Sequence, residues 1–135
     1  MSSLWIEPRG NQRRVRHGFL PIDRHCQVRD AERIFAAGDA TDFPVKHGGI
    51  SAQQADTAAA AIAALAGAPV RPSAFRPVIH GILLTGAAPR YLTAHLSGGH
   101  TFSSRFTDEP TWSPPTKIVA KYLSPYLEQH SGAGL

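Results

Sequence analysis

Short apolar runs separated by glycine and proline divide the first third of the chain into predicted strands. Residues 18–23 predict a short strand, which Pro21 restricts to a sheet edge or a strand end. Residues 26–29 predict a partner strand after a turn. Residues 33–37 are apolar without alternation, which is typical of a strand whose two faces are both covered.

An alanine-rich segment at 51–65 predicts a long helix. The four consecutive alanines at 58–61 have high helix propensity, and Gly67 follows the pattern as a stop signal. Ser51 is predicted to cap the helix, with Gln54 three residues later as its capping-box partner.

The second half of the chain predicts a two-stranded hairpin and a final helix. Apolar residues favour strands at 75–84 and 90–96, whereas 97–115 is predicted to be loop. Apolar residues at helical spacing predict an amphipathic C-terminal helix over 117–129, which Pro125 should kink. These elements together predict an α+β fold.

The distribution of charge is informative only at the start of the chain. The net charge of the 135 residues is +4, and four arginines fall within 9–16. Because 1–17 is basic and unpatterned, we expect a poorly ordered arm. No aromatic stripe accompanies the arginines, so no nucleic acid partner is predicted. Binding of this arm and the last helix to an anionic membrane surface is a weaker alternative.

The cysteine, hydropathy and histidine patterns predict no internal disulfide, no membrane span and no metal site. The single Cys26 cannot form an internal disulfide or a CxxC pair, and a free thiol predicts a reducing, cytoplasmic setting. No run approaches the roughly 20 apolar residues of a membrane span. The seven histidines lack the spacing of a metal site, so no metal is expected.

The pair Gly38-Asp39, at the end of the predicted strand 33–37, is the candidate site. A carboxylate accepts hydrogen bonds from ligand hydroxyls, and Gly38 lets the backbone come close to a ligand. The helix that follows presents unpaired N–H groups and the positive end of its dipole, which would stabilise negative charge. The alternative is that Asp39 only caps a turn.

The sequence around this pair resembles a known family. The run IFAAGDAT at 34–41, followed by GISAQQAD at 49–56, is similar to the FAD-contacting segment of FAD-dependent pyridine nucleotide oxidoreductases. It is most similar to the branch that includes sulfide:quinone oxidoreductases and type II NADH dehydrogenases. The segments 18–23 and 114–118 also resemble this family, and the resemblance covers about 17–127.

The resemblance implies roles for individual residues. Asp39 would bind the ribityl or phosphate region of FAD, the backbone at 51–53 would approach the flavin pyrimidine edge, and Gln53 would sit near the ring. Gly48 and Gly49 would let the loop run close to the cofactor. The implied cofactor-binding residues are Gly38, Asp39, Gly48, Gly49, Ser51, Ala52 and Gln53.

The resemblance also implies an enzyme larger than this chain. Such an enzyme passes hydride from NAD(P)H to FAD and electrons to an acceptor, but the Gly-rich units that grip FAD and NAD(P)H are absent. We therefore expect the C-terminal part of an FAD-binding domain at 18–70 and a small α+β cap at 71–135. The isolated chain should be inactive, and no catalytic residue is assigned. No cysteine matches the redox cysteines of sulfide-oxidising members, so sulfide chemistry is not expected.

A second hypothesis is a non-catalytic interaction domain that kept the parent fold. The edge of strand 34–37 would then be open, and open apolar edges pair with other chains. This hypothesis predicts a homodimer, or a complementary chain that supplies the FAD-binding half.

Overall fold

The structure, a computed structural model, describes residues 18–97, 100–113 and 121–130. The predicted arm at 1–17 lies outside these ranges. Two helices and three strands confirm the predicted α+β class. In chain order they are α1 (Gly48–Leu65), β1 (Val78–Leu83), β2 (Arg90–Ser97), β3 (His100–Thr107) and α2 (Leu123–His130).

The three strands form one antiparallel sheet in the order β1-β2-β3. The predicted hairpin is confirmed as β1 and β2, but it is not the whole sheet. The prediction of a loop over 97–115 is wrong at 100–107, because β3 pairs with β2 from Thr107 opposite Tyr91 to His100 opposite Ser97. As an edge strand with polar residues on both faces, β3 lacks the apolar alternation on which the prediction relied.

The predicted strands of the N-terminal third are reduced to single bridges. The pairs are Leu20 with Thr41 (parallel), Ile22 with Val28 (antiparallel) and Gln27 with Phe35 (antiparallel). A continuous strand at 33–37 with both faces covered is wrong, since Ile34 is 53% exposed. Cys26 and Arg33 have φ values of 64° and 60°, and left-handed backbone of this kind interrupts strand pairing.

Helix α1 packs its alanine side on these N-terminal loops. Ala58 is buried in a cluster whose other members come from the loops and from the approach to β1. The cluster consists of Ile22, Cys26, Val28 and Ala58, with Ala31, Phe35, Ala36 and Phe75 packed against it. Because alanine side chains are short, the loops can lie close to the helix backbone.

The N-terminus of α1 lies three residues before the predicted one. His47 is the N-cap, with extended backbone, and its Nδ1 accepts a hydrogen bond from the Gly49 N–H at 3.1 Å. The prediction that Ser51 caps the helix is therefore wrong. Ser51 lies in the first turn, where its Oγ donates to the His47 carbonyl oxygen at 3.2 Å. The predicted end at Leu65 is confirmed.

Helix α2 is shorter than predicted. It spans Leu123–His130, and the predicted start at 117 lies outside the described residues. Pro125 falls in the first turn of α2, where its missing N–H breaks no helix bond, rather than in the helix interior. The Lys121 N–H, just before α2, donates to Asp56 Oδ2 at 3.0 Å and so ties this region to α1.

Candidate functional site

A tight turn at 38–41 lies at the centre of the candidate site. Gly38 has a φ of +86°, in the left-handed region that glycine tolerates, and the Thr41 N–H donates to the Gly38 carbonyl oxygen at 3.0 Å. The turn places Asp39 at the exposed tip. Among the described residues, no hydrogen bond or ion pair of the Asp39 carboxylate is found. This carboxylate therefore does not cap the turn and is open to a ligand.

A ring of three hydrogen bonds fixes this turn to helix α1. Gln54 Oε1 accepts from the Gly38 N–H at 2.7 Å, and Gln54 Nε2 donates to Thr41 Oγ1 at 3.4 Å. Thr41 Oγ1 in turn donates to the Gly38 carbonyl oxygen at 2.8 Å. Gln54 is only 1% exposed and Thr41 is fully buried. The conformation of the turn is therefore set by the helix.

Gln54 is the residue whose role the sequence prediction missed. Its prediction as a capping-box partner of Ser51 is wrong, because its side chain bonds the 38–41 turn. A signal was present in the sequence: Ile50, Gln54, Ala58 and Ala61 follow helical spacing and are all buried. A polar residue on the buried side of a helix must find partners inside the protein.

The first turn of α1 lies directly against Gly38. A Cβ atom built on Gly38 would lie 3.5 Å from Ser51 Oγ and 3.6 Å from Ser51 Cβ. The N–H of Gly49 is bonded to His47, and by helix geometry the N–H groups of Gly48 and Ile50 have no acceptor within the helix. The positive end of the α1 dipole thus adjoins the 38–41 turn.

Lys46 adds a full positive charge to the same turn. Its Nζ donates to the Thr41 carbonyl oxygen at 2.5 Å and lies 4.1 Å from the centroid of the Phe19 ring. Asp42 is committed elsewhere, since its Oδ1 accepts the Ile22 N–H at 3.1 Å. Asp39 is therefore the carboxylate of the 38–42 segment that remains available beside a positively charged region.

The other predicted cofactor-binding residues are distributed along the first turns of α1. Gly48 is exposed at the helix start, Gly49 is buried behind it, and Ala52 is half-buried. The side chain of Gln53 is engaged by the sheet: its Nε2 donates to the Val78 carbonyl oxygen at 2.7 Å. The structure thus places Ser51 beside Gly38 and binds the Gln53 amide to β1.

An aromatic cavity lies between the loop before α1 and the sheet. The rings of Phe43 and Phe75 meet edge to face, with centroids 5.3 Å apart. They form part of the wall of a cavity of about 520 Å³, to which Arg76 and His95 contribute polar groups. Its volume falls within the range of small-molecule pockets.

Cys26 is not part of this arrangement. Its side chain is fully buried in the N-terminal cluster. Burial, and secondarily the Asp23 carboxylate, raise the pKa of the thiol to about 11. A thiol that stays protonated at neutral pH is a poor nucleophile.

No family model, curated protein or solved structure matches this chain. Neither helix of the ranges 18–97, 100–113 and 121–130 combines the length and hydropathy needed to cross a bilayer. In the same part of the chain, no group of three or more His, Cys, Asp or Glu side chains is placed to hold a metal ion.

Proposed function

We propose that this chain is the C-terminal part of an FAD-dependent NAD(P)H oxidoreductase, similar to sulfide:quinone oxidoreductases and type II NADH dehydrogenases. One observation carries the proposal. Gln54 fixes the Gly38-Asp39 turn to α1, so that the turn carrying the available Asp39 carboxylate adjoins the N-terminal end of the helix. This arrangement coincides with the sequence motif that resembles the family's flavin-contacting segment.

The residues of the turn suit the parts of FAD differently. Asp39 would accept hydrogen bonds from ribityl hydroxyls, because an ionised carboxylate is only an acceptor. The α1 N-terminus and Lys46 would favour negative charge at the pyrimidine edge of the flavin. When bound, FAD supplies the redox chemistry, accepting hydride from NAD(P)H and passing electrons to an acceptor, while the protein orients it.

An exposed apolar surface supports a complementary chain as partner. Several apolar side chains of the N-terminal part are exposed, which is the surface expected where another part of an FAD-binding domain would cover it. They are Phe19, Leu20, Ile34, Ile62 and Leu65. We propose that 18–70 completes an FAD-binding domain with that chain and that 71–135 forms its cap.

An FAD titration followed by flavin fluorescence tests the proposal. We expect weak, saturable binding of FAD to the chain alone, since this sequence does not include the Gly-rich unit that would bind the FAD phosphates. Binding should become tight once a chain carrying the Gly-rich half is co-expressed. Asp39→Ala should weaken binding about tenfold, as expected for the loss of a hydrogen bond to a charged group. Glu32→Ala is the matched control, because it removes an exposed carboxylate from outside the turn.

Two results would contradict the proposal. One is equal loss of binding in Asp39→Ala and Glu32→Ala, which would indicate nonspecific attraction. The other is no FAD binding with or without the Gly-rich half. That second result, together with a stable homodimer in sedimentation, would favour the non-catalytic interaction domain instead.

A further inference from the structure

One face of the three-stranded sheet gathers basic and hydroxyl side chains around Thr93. His80 of β1 and Arg105 of β3 lie directly opposite Thr93 on either side. His95 is two residues further along β2 and is paired with Ser103. Because side chains alternate along a strand and paired residues share a face, all five side chains lie on the same face.

The segment after β3 folds back over this face. Thr111 Oγ1 lies 2.7 Å from Thr93 Oγ1, which lies 3.3 Å from His80 Nδ1. The Trp112 ring lies against His80, with centroids 4.6 Å apart, and meets the Tyr91 ring edge to face at 5.7 Å. The fold-back encloses the hydroxyl pair from one side and leaves Arg105 exposed.

The result is a hollow of about 310 Å³ whose wall carries positive charge and hydroxyl groups. Its lining residues are Thr93, His95, Ser103, Ser104, Arg105 and Thr111. None of these six is acidic. Among the described residues, no hydrogen bond or ion pair of the Arg105 guanidinium is found, whereas Arg90 pairs with Asp108 at 2.9 Å.

The Arg105 guanidinium supplies the positive charge of the hollow, and His80 lies beside it on the same face. Burial lowers the pKa of the His80 imidazole, and the nearby His95 lowers it further. An anion in the hollow would oppose this lowering and would interact favourably with the Arg105 guanidinium. A guanidinium offers two parallel N–H donors, and hydroxyls donate to the remaining oxygens.

We propose that this hollow binds a phosphate group, as inorganic phosphate or as a phosphate monoester, held by Arg105, His95 and the Thr93–Thr111 hydroxyl pair. A tetrahedral dianion matches a site in which donors converge from two neighbouring strands and from the fold-back segment. A carboxylate has fewer acceptor oxygens and half the charge, so it should bind more weakly. The site lies on the sheet, apart from the 38–41 turn, and it shares His95 with the wall of the aromatic cavity.

Titration of the full chain with inorganic phosphate, followed by NMR of the histidine imidazoles at constant ionic strength, tests the proposal. We expect a saturable shift of the His80 resonances and a rise in the His80 pKa on binding. Arg105→Gln should weaken binding at least fivefold, and Thr111→Val should weaken it as well. Arg90→Gln is the matched control, because it removes the same charge from the opposite face of the sheet.

Parallel titrations with glycerol phosphate and acetate distinguish the ligands. Tighter binding of glycerol phosphate would identify a monoester site, and equal or weaker binding would identify an inorganic phosphate site. Acetate binding as tightly as phosphate would overturn the proposal. So would absence of a saturable shift, or equal weakening in Arg105→Gln and Arg90→Gln, which would show diffuse attraction by surface charge.

Discussion

The side-chain amide of Gln53 binds both backbone groups of Val78. Its Nε2 donates to the Val78 carbonyl oxygen at 2.7 Å, and its Oε1 accepts the Val78 N–H at 3.1 Å. Val78 is the first residue of β1, an edge strand of the sheet. One side chain of α1 thus takes the place that a neighbouring strand would take, and it connects the helix to the sheet.

Gln53→Ala should destabilise the protein by about 2 kcal/mol, because two hydrogen bonds are lost and the Val78 N–H and carbonyl groups lose their partner. Urea unfolding followed by circular dichroism measures the change. Gln129→Ala replaces an exposed residue of α2, and its free energy of unfolding should stay within about 0.5 kcal/mol of that of the original protein. Equal effects of the two variants would show that the amide contributes no stability.

Gly38→Ala should lower the free energy of unfolding by about 1–2 kcal/mol, since alanine is strained at a φ of +86°. The new Cβ would meet Ser51 only at ordinary contact distance, so the penalty comes from the backbone. Gly48→Ala is the control: no atom lies within 4 Å of its Cβ, and helical alanine is favourable there. Thermal unfolding of both variants gives the comparison, and a Gly38→Ala variant as stable as Gly48→Ala would contradict the strain.

The N-cap of α1 predicts opposite effects for two replacements of His47. His47→Ala should lower the free energy of unfolding by about 1 kcal/mol, because the Gly49 N–H loses its acceptor. His47→Asp should preserve or raise stability, since a carboxylate caps the same N–H and interacts well with the helix dipole. Chemical unfolding of the pair checks this, and equal stabilities would mean that the cap is unimportant.

Cys26 predicts a loss of stability at alkaline pH. The folded protein raises the thiol pKa from an ordinary 9.0 to about 11. Between these values the unfolded chain releases the proton while the folded chain retains it, so stability falls as pH rises. The original protein should therefore lose stability relative to Cys26→Ala between pH 9 and about 11, measured by urea unfolding at each pH. A constant difference across that range would contradict the shift.

Thiol reactivity gives an independent check on the burial of Cys26. Because the side chain is fully buried, alkylation by iodoacetamide at pH 7.5 should be slow in the folded protein and rapid in 6 M guanidinium. Rapid labelling of the folded chain would show that the N-terminal loops open readily around α1.

Local features of the sequence were sufficient to predict α1 and the β1-β2 hairpin. The alanines at 58–61 have a strong intrinsic preference for helix, and the apolar runs at 75–84 and 90–96 surround a Gly- and Pro-containing turn. Strand β3 was missed because its sequence HTFSSRFT is polar, and pairing with β2 rather than burial keeps it extended. The cap was misplaced because histidine is not among the usual N-cap residues.

In the region of the candidate site, the sequence predicted a turn at Gly38-Asp39 but not the side chain that holds it. The Gly-Asp motif located the turn, but Gln54 was recognisable only from its place among the buried positions of α1. The basic face around Thr93 could not be found from the sequence. Its members come from three strands, and only the register of β1, β2 and β3 brings them together.

The closed ring of hydrogen bonds among Gly38, Thr41 and Gln54 restricts how this sequence can evolve. Replacing Gln54 alone would leave the half-buried Gly38 N–H without its acceptor, and replacing Thr41 alone would leave the buried Gln54 Nε2 without its acceptor. The two side chains are therefore expected to mutate as a correlated pair. Sequence changes at these two positions should therefore occur as rare double substitutions rather than as successive single substitutions.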